Sequence, residues 1–99
     1  MKRDFTQNLN NLDGTPFTDE KGKPLTLKAA IITICSVPLE SDKDLNAVDK
    51  FKIGEIAMTV FRDLDLATDQ VVLVKERGAK VFTSPILVYL LHTALEGVN

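Results

Sequence analysis

The spacing of apolar residues changes near residue 26 and divides the chain into an irregular N-terminal part and a helical remainder. In the first part Phe5, Gln7 and Leu9 alternate as in a half-buried strand, and Phe17 and Leu25 are available for the return side. The pairs Asp13-Gly14 and Lys21-Gly22 stand where a chain reverses, because glycine takes positive φ without steric cost. This pattern predicts a β-hairpin or ribbon over 4–25, although Phe5, Leu9 and Leu12 also fit one face of a helix.

Beyond Thr26 the period becomes helical. Leu27, Ala30, Ile31, Ile34 and Cys35 form one apolar stripe, with Thr26 as N-cap and Pro38 as stop. After the polar linker 40–44, a second helix is predicted from Leu45 to Arg62. In it Val48, Phe51, Met58 and Phe61, with Ile53, Ile56, Ala57 and Val60 beside them, make one broad stripe, and Gly54 allows a close helix contact. A third helix is predicted over Asp69 to Lys80 with Thr68 as its cap. The run Val71-Val72-Leu73-Val74 argues for a strand there, but Val74, Gly78 and Val81 continue at near-helical spacing.

The last helix is announced by Ser84 at the N-cap, Pro85 at the first helical position and Gly97 past the end. Its apolar residues, from Ile86 through Leu91 with Ala94 and Leu95, wrap most of the circumference. Such a helix is either central in the core or covered by another chain, which makes Leu87, Tyr89, Leu90 and Leu91 a candidate partner interface. The expected fold is mainly α (α+β): a single domain over 1–99, with the hairpin at 4–25 and a compact bundle of about four helices over 26–97. No internal repeat stands out in this reading.

Composition narrows the function classes. A chain of 99 residues with 44% hydrophobic and 26% charged residues buries one core without disulfide or metal staples. It is too short for enzyme barrels or full dinucleotide-binding folds, which need about 150 to 250 residues. Twelve Lys and Arg against 14 Asp and Glu give a net charge of −2. That balance argues against sequence-independent nucleic-acid binding and falls short of a strongly acidic nucleic-acid mimic. The single cysteine, Cys35, fits a reducing cytoplasm. Polar Thr6, Gln7 and Asn8 follow the basic start where a secretion signal has its apolar core, and the run Ile86 to Leu91 is far shorter than the ~20 residues of a membrane span. A soluble, cytoplasmic protein with no membrane association is expected.

Candidate chemistry is sparse. Asn11-Leu12-Asp13-Gly14-Thr15 approaches the Asp-x-Asp-Gly-Thr signature of haloacid-dehalogenase-like phosphatases, but Asn11 occupies the nucleophile position and an amide cannot attack phosphorus as a carboxylate does. A turn is the better reading. Gly22-Lys23 lacks the earlier glycine and the following Ser or Thr of a phosphate-binding loop. Asp63, Asp65 and Asp69 fall at calcium-loop-like positions, yet Val74 replaces the closing Glu. His92 is alone and suits the negative end of the last helix, and Cys35 sits on an apolar stripe as a core residue would. Lys75, Arg77 and Lys80 form a candidate basic patch, and Lys21, Lys23 and Lys28 a second, with Glu20 and Glu76 interleaved. No catalytic residue, metal ligand or cofactor site is assigned, and a non-enzymatic role is expected.

The opening Asp4-Phe5, then Asn11-Leu12-Asp13-Gly14-Thr15-Pro16, then Lys23-Pro24-Leu25-Thr26-Leu27 before an alanine- and isoleucine-rich helix, resembles small proteins encoded by tailed bacteriophages and prophages. The later layout is similar across most of the chain. The resemblance implies a phage origin and a small accessory role, with no catalytic residues to carry over. The expected partner is a phage structural protein, a host defence or replication protein, or a second copy of the chain. A small nucleic-acid-binding protein, with a basic face hidden in the neutral total, is the alternative.

Overall fold

The computed structural model describes residues 4–11, 13–18 and 21–96. The roles expected of Leu12, Glu20 and Gly97 lie outside them. Four α-helices follow an irregular N-terminal segment: α1 (Leu27–Ser36), α2 (Ala47–Phe61), α3 (Thr68–Val81) and α4 (Pro85–Leu95), with a 3-10 turn at Glu40–Asp44 between the first two. Residues 69–80 are thus helical. The β-branched residues Val71 and Val74 are buried on one face of α3, so core packing outweighs their strand preference.

Local capping explains most of the boundaries. Thr26 accepts from the Ala29 N–H (3.1 Å), and Asn46 accepts from the Asp49 N–H (2.8 Å). Ser84 accepts from the Leu87 N–H and Pro85 follows it at the helix start. At α3 the cap is Ala67 instead of the expected Thr68, and Gln70 Oε1 accepts from the Ala67 N–H (2.9 Å). The end of α2 is closed by two bonds of a Schellman turn. Asp63 N–H donates to the Val60 carbonyl (2.9 Å) and Leu64 N–H to the Thr59 carbonyl (3.0 Å), with Asp63 at φ 59°.

The N-terminal hairpin does not form among the described residues. Three isolated antiparallel bridges stand in its place, Asn8 with Thr26, Asn10 with Pro16 and Thr18 with Pro24. Inside them Leu9, Phe17 and Leu25 close a ring of backbone hydrogen bonds. Phe17 N–H donates to Leu9 (2.7 Å), Leu25 N–H to Phe17 (2.7 Å) and Leu9 N–H to Leu25 (2.8 Å). The three residues are eight apart, and Gly14 and Gly22, both at positive φ, turn the chain between them. Pro16-Phe17-Thr18 and Pro24-Leu25-Thr26 repeat in sequence, and Asn8-Leu9-Asn10 takes the equivalent place in the ring. Each central residue accepts from one segment and donates to the other, so no pair exchanges both bonds of a ladder and each bridge stays single.

Helix α1 occupies the centre and packs on α2, α3 and α4, and α3 also packs on α4. Leu27, Ala30, Ile31 and Ile34 are fully buried there, and Phe5 and Leu9 bring the N-terminal ring onto the same core. Helix α2 rests chiefly on α1 and lies at the periphery. The glycine that permits close packing is Gly78, not the expected Gly54. A Cβ at Gly78 would stand 2.7 Å from Leu91 Cδ2 and 3.2 Å from Ile34 Cδ1, whereas nothing lies within 4 Å of one at Gly54.

Candidate functional site

The expected interface on α4 is divided between core and surface. Leu87 and Leu91 are buried in the main cluster, Leu90 is half-buried, and Tyr89 is exposed. Helix α4 thus turns Leu87 and Leu91 inward, and these two residues present no face to a partner. His92 lies in its last turn, with Nε2 buried and without a hydrogen-bond partner among the described residues.

The basic patch of Lys75, Arg77 and Lys80 does not share a face. On a helix Lys75 and Arg77 point roughly 200° apart, and the structure sends them to different partners. Lys75 pairs with Glu96, and Lys80 is exposed. Arg77, only 8% exposed, lies inside the molecule. Its Nη1 and Nη2 meet Asp42 Oδ1 (2.6 Å) and Oδ2 (2.9 Å), its Nε donates to the Ile34 carbonyl (2.8 Å), and Nη2 also donates to the Val37 carbonyl (2.9 Å). Asp42 Oδ2 further accepts from the Leu39 N–H (2.8 Å). One guanidinium thus closes the carbonyl end of α1 and ties it to α3 and the 3-10 turn. The hydrogen bonds from Arg77, and then that from Leu39, hold the Asp42 carboxyl well below the usual carboxylate range. The Arg77 guanidinium is raised in turn, chiefly by its bonds to Asp42. Burial pushes the neighbouring Cys35 thiol up to about 11, against the opposing charge of Arg77. That sulfur is a packed thiol and not an activated nucleophile.

The other candidates resolve into local structure. Asp13 Oδ1 accepts from the Thr15 N–H (3.0 Å) and hydroxyl (2.7 Å), which lowers its pKa and makes the phosphatase-like stretch a side-chain-closed turn. Asp63 pairs with Lys28 (3.1 Å), and Asp65 Oδ1 accepts from the Leu66 N–H (2.9 Å). Among the described residues no group of three His, Cys, Asp or Glu side chains is placed to hold a metal ion. No helix among them is long and apolar enough to cross a membrane.

What remains is a surface, and it lies on α2. The stripe expected to be single is two opposed faces. Ile53, Ile56 and Val60 are buried toward the core, while Val48, Phe51, Met58 and Phe61 are between 50% and 69% exposed. Leu64, just past the helix end and 54% exposed, extends this outer face. Phe51, Gly54, Glu55, Met58, Arg62 and Leu64 line a shallow groove along it. At the C-terminal end Lys28 Nζ lies 5.5 Å from the centre of the Phe61 ring while also pairing with Asp63, so the ring is held from one side by a cation. The sequence contains both sets of apolar residues, but periodicity alone does not show that the helix packs chiefly on α1.

Comparison with protein-family models, with curated proteins and with solved structures finds no match.

Proposed function

We propose that this chain is a non-enzymatic protein-binding module that engages its partner through the outer face of α2. The observation that carries this reading is the exposure of Val48, Phe51, Met58 and Phe61 on a helix at the edge of the bundle, with Leu64 just beyond its end. Large apolar side chains gathered on one face, instead of scattered singly, mark a surface that another molecule covers. The polar candidates point the same way, because Arg77, Asp42, Asp13 and Asp63 are engaged in holding the fold. The setting we propose is that of a small accessory protein of a tailed phage. There it would act either as an assembly factor or as an inhibitor that occupies a host protein's working surface. The support for this setting is the resemblance of its turn and cap layout.

The test is retention of proteins from bacterial lysate, with and without phage structural proteins, by the wild type and by Phe51→Asp. Stoichiometric retention of a virion protein by the wild type alone supports assembly, and of a host nuclease or replication factor supports inhibition. Retention that is equal for both baits overturns the assignment to α2. Nucleic acid released steeply by salt would replace the protein-binding reading.

A further inference from the structure

We infer that the outer face of α2 recognises a second copy of this chain, the two α2 helices lying side by side in parallel with Gly54 against Gly54. This rests on the reading of α2 as the interaction surface and names its occupant. Ala47, Phe51, Gly54, Met58 and Phe61 follow one another at intervals of four, three, four and three. This is the heptad spacing at which two helices keep one seam in contact. The seam lies away from Ile53, Ile56 and Val60, which face the core, and α1 touches it at the Phe61 end through Lys28.

Gly54 has no internal reason to be glycine. It lies in the middle of an α-helix and a Cβ there meets open space, although glycine in such a position weakens a helix relative to alanine. In the seam the missing side chain lets two backbones approach and leaves room for Phe51 and Met58 from both copies to fold over it.

Charge selects the occupant and its direction. Lys50 and Glu55, both exposed, flank the seam on opposite sides. In a parallel pair a residue on one flank faces the residue five positions later on the other flank of its neighbour. Lys50 of each copy therefore meets Glu55 of the other, twice by symmetry. In an antiparallel pair centred on Gly54, Glu55 would face its own copy instead. The α2 helix is about 22 Å long by its rise per residue, and one such stripe is smaller than the ~800 Å² per partner of a standard stable interface. The pair is accordingly reversible.

The experiment is sedimentation of the full chain from ~5 μM to ~500 μM, a range that brackets dissociation of a small interface. The weight-average mass should rise from 10.9 kDa toward twice that value. Lys50→Glu and Glu55→Lys should each weaken self-association roughly tenfold, and the double reversal should restore it. In a Cys35→Ser background, Ala47→Cys should oxidise to a linked dimer, and adding Phe51→Asp should prevent this. Ala47, Lys50, Phe51 and Glu55 are exposed and Cys35 is half-buried, and unchanged helical circular dichroism verifies that the variants fold. A mass fixed at 10.9 kDa throughout, association that survives Phe51→Asp, or a double reversal no better than either single change overturns the inference. A monomeric chain that still captures another protein through Phe51 overturns self-pairing and leaves the protein-binding reading standing. A monomer that captures nothing overturns both.

Discussion

Helices α2 and α4 are both rich in large apolar residues, and they place them differently. Helix α4 is apolar around most of its circumference, yet it buries Leu87, Leu91, Ala94 and Leu95 against α3, α1 and the N-terminal segment and exposes Ile86 and Tyr89. Helix α2 alternates apolar with charged residues, yet it leaves Val48, Phe51, Met58 and Phe61 outside. Exposure follows the number of neighbours and not the apolar content of the helix. A helix packed on one side can satisfy one face only, and any second apolar face is turned to the surroundings.

The sharpest way to break this contrast is at Leu91, which is fully buried and touches the backbone of α3 at Gly78. Leu91→Ala should lower stability by about 3 kcal/mol in urea unfolding, the usual cost of lost burial plus a cavity. Next is Arg77→Ala, which strips the Ile34 and Val37 carbonyls of their donor and should cost about 2 kcal/mol. This variant also changes the acid limb. The folded pKa of Asp42 lies below its unfolded value, so its contribution is complete above about pH 3.9 and is lost as the pH falls below that. Wild-type stability should therefore fall more steeply in acid than that of Arg77→Ala, read as unfolding midpoints between about pH 5 and 2.

A smaller effect is expected at the close contact of α3 and α4. Gly78→Ala should destabilise by about 1 kcal/mol, the overpacking exceeding the gain in helix propensity. In a Leu91→Ala background, where the 2.7 Å neighbour is gone, the same change should cost less, and a double-mutant cycle measures the difference. The smallest effect on folding belongs to α2. Phe51→Asp should change stability by less than about 0.5 kcal/mol while abolishing association, and a large loss of stability there would show that this face serves the fold.

The parts of the fold legible in the sequence are those decided within a few residues. Thr26 and the pair Ser84-Pro85 mark helix starts because a cap acts on the next turn, and the stripe from Leu27 to Ile34 is clear because α1 has one continuous buried face. The Arg77 contact was not legible, because its partner Asp42 is 35 residues away and reads as part of a solvated linker. Lys75, Arg77 and Lys80 look alike as letters, and only the helix separates them. The N-terminal ring was legible in principle, since Pro-x-Thr and glycine both recur at an interval of eight. Alternation of Phe5, Gln7 and Leu9 pointed to a longer ladder, which the three-way exchange of backbone bonds replaces. At α2 both faces are apolar, so the pattern fits a core helix and an interface helix equally, and only the placement of α1 separates the two faces.

The ring of Leu9, Phe17 and Leu25 has a consequence for the edges of the N-terminal segment. An ordinary hairpin has two outer edges whose free N–H and carbonyl groups invite another strand, from a partner or from a misfolded neighbour. Three segments that each give to one neighbour and receive from the other form a circuit with no beginning or end at those central residues. An added strand would find their donors and acceptors already taken. At these three residues the N-terminal segment is in this sense insulated against strand addition.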